Sequence, residues 1–325
     1  MVKLRLLNVL VIFYAALGGA VAAAQEYPAR PVRMIVANAP GGPTDAAARV
    51  IAQGLGDELK QAFVVENRAG AGGIIGTQAA AGAAPDGYTV LLSASGPLVV
   101  TPYMRKTLGY DPVASFAPVG FAAHSPLFLV VPATSKITTV GQLMSEARAN
   151  PGKLNYGTAG IGTPPFMSAE LFKRATGLNI KHVSYSGGQS QIHVALMTGE
   201  LDMLFDSPSG LPLVKGGKLR ALAVTSPERS ELSPETPTMI EAGIADFQVN
   251  AWYALLVPAA TPPSVRNKLS EALSRVLKSA VVRERYKTLG FEVPKESGGV
   301  EVAKVIQTEG ARWKGLIESL GLPKE

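Results

Sequence analysis

The stretch Ala39-Pro40-Gly41-Gly42-Pro43-Thr44-Asp45 concentrates residue types that suit the holding of an anion. Gly41 and Gly42 let the backbone approach a ligand closely. Pro43 fits a first helical position, where its missing N–H is no loss, and Asp45 in the first turn suits the positive end of the helix dipole. The N–H groups at such a helix start have no intrahelical acceptor, which makes an anion cradle. The same seven residues also suffice for a plain tight turn from strand to helix, so both readings stand at this point. Related loops recur. Gly157 to Thr163 precedes Pro164, Tyr185-Ser186-Gly187-Gly188 precedes a helical stretch, and Ser93 to Gly96 and Asp206 to Gly210 are small polar loops at strand ends. Lys and Arg are nearly absent from these loops apart from Arg68, so an anion would be held by backbone N–H groups, hydroxyls and water.

Constellations for catalysis do not assemble. His124, His182 and His193 form no H-E-x-x-H or other ligand pair, and His182 falls in a strand where a structural role is expected. The serines of Ser93-Ala94-Ser95-Gly96 and Tyr185-Ser186-Gly187 lack the G-x-S-x-G elbow. Asp202 and Asp206 straddle a strand, which argues against paired-carboxylate chemistry. Gly70, Gly72 and Gly76 resemble a loosened dinucleotide fingerprint, but the next strand, Thr89 to Leu92, ends in Ser93-Ala94-Ser95 with no acid for a ribose. No catalytic residue, metal or cofactor is expected, and a binding protein is favoured over an α/β enzyme.

The elements that position these loops follow from hydrophobic period. Met34 to Ala37 reads as a buried parallel strand, followed by a helix with Ala47, Val50, Ile51, Leu55 and Leu59 on one face. Phe63 to Glu66 is a second strand. Gly72, Gly76, Ala80 and Ala84 would give the next helix one smooth face. Thr139-Val140-Gly141-Gln142 is a capping box, and Thr163 caps a helix begun by Pro164. Lys181 to Ser184, Leu201 to Phe205 and Leu219 to Thr225 are further strands. Phe128 to Thr134 and Ala254 to Thr261 echo each other and read as crossover strands between two lobes. Helices from Pro262 and from about Gly299 to Leu320 cover the first lobe, the last being long enough to reach the second. The resulting fold class is α/β: two lobes, each a mostly parallel sheet flanked by helices. Residues 25–125 and 255–325 would form one lobe and 126–254 the other.

With 325 residues, 47% of them hydrophobic, the chain has ample material for such a core. Lys3 and Arg5, an apolar run from Leu6 to Leu17 and Ala22-Ala23-Ala24 form an export signal over residues 1–24, with cleavage expected between Ala24 and Gln25. Without Lys3 and Arg5 the net charge of +6 becomes +4, and no basic cluster or interleaved aromatics point to nucleic acid or a membrane surface. Zero cysteines exclude disulfides, a thiolate metal site and a lipoprotein anchor, which fits a periplasmic protein.

A series of motifs, in order, resembles the receptors of tripartite tricarboxylate transporters, the Bug family of two-lobed periplasmic binding proteins. They are Tyr27-Pro28 with Pro31, Ala39-Pro40-Gly41-Gly42 with Asp45, and Val65-Glu66-Asn67-Arg68 with Gly70-Ala71-Gly72-Gly73. Pro85-Asp86-Gly87-Tyr88-Thr89, Gly157 to Gly162, Tyr185-Ser186-Gly187-Gly188, Gly217 to Ser226, Pro237-Thr238 and Glu241-Ala242-Gly243 follow. The resemblance covers essentially the whole mature chain. It implies a receptor that closes around a small carboxylate and docks on a membrane permease. Carried across, ligand binding falls to Gly41, Gly42, Thr44, Ser95, Thr158, Gly160, Gly162, Thr163, Ser186, Gly187 and Asp206, with Tyr185 and Asp45 beside them. Asp45 reads either as a dipole and cap residue or as the partner of a ligand ammonium, and Asp206 as a loop-closing residue or a specificity contact. Pro43 stands where many members carry a small polar residue. With the apolar Ser95-Gly96-Pro97-Leu98 and Pro164-Pro165-Phe166 segments, this favours a monocarboxylate or a dicarboxylate with an apolar body. A monomer is expected. A ligand sensor that presents its closed form to a signalling protein is the alternative role, and the chain has no domain of its own that separates the two.

Overall fold

The computed structural model describes residues 27–185, 188–322 and 324. The export signal expected over residues 1–24, and Ser186 and Gly187 of the candidate site, lie outside the described residues. The first sheet is built from β1 (Val32–Val36), β2 (Phe63–Asn67), β3 (Thr89–Ala94), β4 (Phe116–Pro126) and a strand that returns near the end of the chain. Helices α1 (Pro43–Leu59) and α2 (Ile74–Ala81) connect β1 to β2 and β2 to β3. Both β2 and β3 pair in parallel with β1. Val32, Met34, Ile35 and Val36 are fully buried because helices cover both faces of the sheet. Met34 and Val36 face the side covered by Ile51 and Leu55 of α1, while Ile35 and Ala37 face the opposite core, as the two-residue period of a strand requires.

Short helices α3 (Gly96–Val99) and α4 (Thr101–Met104) precede β4; beyond it come β5 (Phe128–Pro132), α5 (Val140–Ala149), β6 (Asn155–Thr158), α6 (Pro164–Thr176), β7 (Lys181–Ser184) and α7 (Gly188–Met197). Then follow β8 (Leu204–Asp206), α8 (Leu211–Lys215), β9 (Leu219–Val224), β10 (Asn250–Pro258), α9 (Pro263–Lys278), α10 (Ala280–Leu289) and α11 (Gly299–Ser319). The first sheet runs β2-β1-β3-β10-β4, with β10 antiparallel to both neighbours. In the second lobe β5 is antiparallel to β8 and β9, β6 is parallel to β7, and a parallel bridge from Tyr156 to Met203 joins β6 to the β8 edge. The strand order is therefore β7-β6-β8-β5-β9, the same plan as the first lobe with β5 in the place of β10. Each sheet is mostly parallel and accepts one antiparallel strand.

The two segments read as crossovers turn out to be these antiparallel strands. The chain crosses at their leading ends, at Leu127 between β4 and β5 and at Val249 before β10. Because β10 begins at Asn250, one continuous strand runs across the 254/255 division. The small-residue face also differs from the expectation: Gly76 and Ala80 are buried in α2, but Gly72 sits in a preceding 3-10 turn with φ 66° and Ala84 lies beyond the helix. The capping box at Thr139 forms on one side only. Thr139 accepts from the Gln142 N–H at 3.1 Å, whereas Gln142 Oε1 takes the N–H of Thr138 at 2.7 Å. Helix α11 packs along β4 through Val302 and Ile306, and Trp252 Nε1 donates to Glu309 Oε2 at 2.9 Å. Its end reaches the other lobe, where Arg174 of α6 donates to Gly315 O and Ser319 Oγ.

Thr225, just past β9 and fully buried, ties the two crossings together. Its Oγ1 accepts the Leu127 N–H at 2.9 Å and donates to Val249 O at 2.5 Å. Its backbone N–H donates to Leu127 O, and its carbonyl accepts from Val249. Replacing Thr225 by Val keeps the shape and strands a buried N–H and C=O, each costing about 1 to 3 kcal/mol. Thr225→Val should therefore lower the thermal unfolding midpoint by several degrees while Thr225→Ser stays near wild type. Equal midpoints for the two variants would show that the hydroxyl does not hold the crossings.

Candidate functional site

The opening motif and its second-lobe counterpart fold into the same turn. At the first, Gly41 has φ 80°, the N-cap Gly42 is extended with φ −82° and ψ 172°, and Pro43 begins α1. At the second, Gly162 has φ 80°, the N-cap Thr163 is extended with φ −71° and ψ 152°, and Pro164 begins α6. A residue with a side chain is strained at either positive φ, which explains glycine there. Neither N-cap supplies a side-chain acceptor to its helix. Thr163 corrects the sequence expectation: it stands at the cap position, but its hydroxyl turns back to donate to Gly160 O at 2.7 Å. Both helices thus begin without a side-chain cap, one in each lobe, although Pro164 and Pro165 have no N–H and leave the second start only those of Thr163 and Phe166.

Asp45 is buried beneath the first turn. Its Oδ2 accepts the Gly41 N–H at 3.0 Å and Arg49 Nε at 2.9 Å, and Oδ1 accepts Asn67 Nδ2 at 3.0 Å. Asn67 also donates to Asn38 O at 3.1 Å. Burial by itself would raise the Asp45 pKa. The hydrogen bonds from Arg49, Gly41 and Asn67 outweigh it and hold the carboxyl below its ordinary value. Both carboxylate oxygens are thus engaged by this chain's own donors, and the Gly41 N–H, one of the groups read as bare, is directed at Asp45. The donors left ahead of the first helical bond, Ala46 N–H to Gly42 O, are those of Gly42, Thr44 and Asp45. Arg68, the cation that the sequence places in these loops, is paired with Glu66 at 2.5 Å.

In the second lobe, Thr158 ends β6 and its Oγ1 accepts the Gly160 N–H at 3.1 Å. Gly162 lies against the first lobe: a Cβ there would stand 2.9 Å from Met104 Sδ. Tyr185 is buried. Its Oη donates to Glu200 Oε1 at 2.8 Å, and burial with that carboxylate pushes its pKa up to about 12. Its backbone N–H bonds Thr158 O, so it braces the neighbouring loop. Asp206 is fully buried at the end of β8, where Oδ1 accepts Gln189 Nε2 at 2.6 Å and Oδ2 lies 2.7 Å from His193 Nε2. Burial raises its pKa, and His193 counters the rise. Asp206 therefore stitches β8 to α7. Ser95 follows β3 with its N–H on Trp252 O at 2.9 Å and its carbonyl accepting from Leu98 and Val99.

Sequence reasoning gave no role in fixing these loops to Asn67, Arg49, Gln189 and His193, whereas the structural role expected for His182 in a strand agrees with its place in β7. The spacing of Asp45 to Arg49 and of Gln189 to His193, four residues on a helix, was a usable signal for two of the pairs. Asn67 acts across strands and left none. Among the described residues no group of three or more His, Cys, Asp or Glu is arranged to hold a metal ion.

The chain as a whole resembles known proteins. The model of the tripartite tricarboxylate transporter family receptor matches residues 47–322. Over 324 residues the chain is 37% identical to protein BugT of Bordetella pertussis, covering 98% of each. Among solved structures it is similar to the periplasmic binding protein BugD, with 33% identity and a TM-score of 0.74 over 92% of this chain and 100% of that one. MatC of Rhodopseudomonas palustris with bound malate gives 32% identity and a TM-score of 0.73, over 90% and 100% of the two chains. An R. palustris protein with adipate gives 31% and 0.76, over 91% and 99%.

Because the folded pKa of Asp45 lies below its unfolded one, the stability it contributes is complete above about pH 4 and is lost as pH falls through the folded value. Asp45→Asn should thus lower the thermal midpoint at pH 7, and the gap from wild type should shrink toward pH 3. A gap that stays constant over that range would remove the charge of Asp45 from the account.

Proposed function

We propose, for a chain that belongs to the tripartite tricarboxylate transporter receptor family, that it captures a small organic acid between its two lobes and delivers it to a membrane permease. Members of the family are solute-binding receptors and not enzymes, and so is this chain. The observation that carries the ligand class is the pair of matching, uncapped helix starts, Gly41-Gly42-Pro43 in one lobe and Gly162-Thr163-Pro164 in the other. A carboxylate fits them because each carries a partial positive charge, with the N–H groups of Gly42, Thr44 and Asp45 bare at the first and, since Pro164 and Pro165 have none, those of Thr163 and Phe166 at the second.

In this reading the ligand is bound through the N–H groups of Gly42, Thr44 and Gly162, the hydroxyls of Thr44, Ser95 and Ser186, and the Gly187 backbone, while Thr158, Gly160 and Thr163, whose donors serve one another and His182, set the second-lobe wall. Gly41, Asp45, Tyr185 and Asp206 shape the walls. Charge-assisted hydrogen bonds contribute roughly 1.5 to 3 kcal/mol each, so several of them offset the cost of ordering and reach the ~8 kcal/mol of micromolar binding. With Arg68 paired to Glu66, the loops have little charge to set against a polyanion. That supports a monocarboxylate or dicarboxylate with an apolar body; the malate and adipate held by the relatives bracket the polarity to be screened. The lobes move as jaws about the crossings at Leu127 and Val249. The receptor works in the periplasm as a monomer, after cleavage between Ala24 and Gln25.

A thermal-shift screen of carboxylates from acetate to adipate tests the ligand class, since a ligand at a hundred times its Kd adds about 2.7 kcal/mol. Stabilisation by sugars or cations with none from any acid would sink it. Gly42→Asp tests the site. The extended backbone at Gly42 suits an N-cap aspartate, and a Cβ there meets only Ala39 O, at 3.6 Å. The new carboxylate should cap α1 and occupy the anion position, weakening acid binding at least about tenfold without lowering the midpoint of the free protein. Undiminished affinity would take this loop out of the site.

A further inference from the structure

His182 lies in β7 opposite Tyr156 of β6, yet its side chain reaches along the strand to Thr158, where Nε2 stands 2.7 Å from Oγ1. The imidazole is held between two aromatic rings, with centroids 5.0 Å from Tyr156 and 5.0 Å from Phe166 in the first turn of α6. Tyr156 is itself fixed: its Oη donates to Glu170 Oε1 at 2.5 Å, and Lys173 Nζ donates to the same oxygen at 2.7 Å. The position of Nε2 is therefore set by packing.

Thr158 Oγ1 is a junction. It accepts the Gly160 N–H at 3.1 Å, lies 3.2 Å from Gly160 O, and faces His182 at 2.7 Å. A hydroxyl has a single proton to give, and the imidazole decides where it goes. With a lone pair on Nε2, the Thr158 proton points at His182, the oxygen is left to the Gly160 N–H, and Gly160 O is left to the Thr163 hydroxyl. Burial lowers the His182 pKa; Glu170 opposes this and Lys173 adds to it, so the imidazole is neutral at pH 7, and in the tautomer protonated at Nδ1 it has that lone pair to offer. Gly160 needs such a restraint. Its φ of 146° is a conformation open in practice to glycine alone, and no other group lies within 4 Å of where its Cβ would be.

We propose that His182 is a positioning residue for ligand capture: through Thr158 it fixes the Gly160 peptide, and with it the second-lobe wall of the binding cleft. This rests on Gly157 to Thr163 being a ligand-binding loop. His182→Phe keeps a ring between Tyr156 and Phe166 and removes the lone pair, whereas His182→Gln restores a polar group near the position of Nε2. Calorimetric titration with acetate, succinate, malate and adipate, together with the thermal midpoint of each free protein, separates binding from folding. For any acid that the wild type binds, His182→Phe should weaken affinity about tenfold. His182→Gln should recover most of that loss. Thr158→Val should match His182→Phe, and the double variant should be no weaker than either single change, because both break one junction. Where His182→Phe does not fold, Thr158→Val carries the same expectation. Wild-type affinity in His182→Phe, no recovery in His182→Gln, or losses that add in the double variant would overturn the positioning role alone. A wild-type protein that binds none of the four acids would overturn the carboxylate reading, and this role with it.

Discussion

Each sheet of the molecule takes in one antiparallel strand that begins where the chain arrives from the other lobe. β10 enters the first sheet only after the chain has built the second lobe, and β5 enters the second directly from β4 of the first. Neither lobe can therefore be completed without a crossing, and the crossings converge on one buried hydroxyl, Thr225. Local and long-range order are coupled at that point. The lobes are also joined through their interiors, because one buried cluster takes in Ile35 and Leu91 of the first sheet with Leu129 and Phe205 of the second. α11 adds a further tie, because it lies along the first lobe and its end is bonded by Arg174 of the second.

The shared strand order gives the two lobes one plan, and the plan repeats the same chemistry. A strand ends, a glycine with φ 80° turns the chain, an extended residue stands at the cap, and proline starts the helix. Most helices satisfy such a start with a side chain from the cap residue. Here glycine has none to offer and Thr163 turns its hydroxyl elsewhere. The two buried acids next to these loops are kept from filling the gap. Asp45 is saturated by Gly41, Arg49 and Asn67, and Asp206 by Gln189 and His193. An acid at the cleft would repel an anion, so tying both carboxylates into the framework preserves the positive character of the helix starts.

The sequence made the plan of the fold legible because glycine, proline and hydrophobic period act locally. The turn before Pro43, its counterpart before Pro164, the buried strand at Met34 and the two-lobed architecture all follow from residues near each other in the chain. What stayed hidden depends on partners distant in sequence. Phe128 to Thr134 and Ala254 to Thr261 read as crossover strands, but nothing local says that each is the antiparallel member of a parallel sheet. Thr163 has the composition of a cap, and only the position of Gly160 O turns its hydroxyl away. Asp45 reads equally as a first-turn acid or a ligand contact until Asn67, on the next strand, takes up Oδ1.

Distance in sequence also separates the residues that touch a ligand from those that decide how well they do so. A loop of glycines and hydroxyls offers many conformations, and a carboxylate rewards only the few in which the N–H groups converge. Rigidity has to come from outside the loop, because glycine supplies none. On the first lobe it comes from Asn67 and Arg49 through Asp45, and on the second from His182 through Thr158 and from Glu200 through Tyr185. Each support is a polar group held by a strand or helix and directed at a loop one element away. Two receptors with identical glycine loops but different supports would present the same donors at different angles. The choice of acid in such a molecule then resides as much in the residues behind the loops as in the loops themselves.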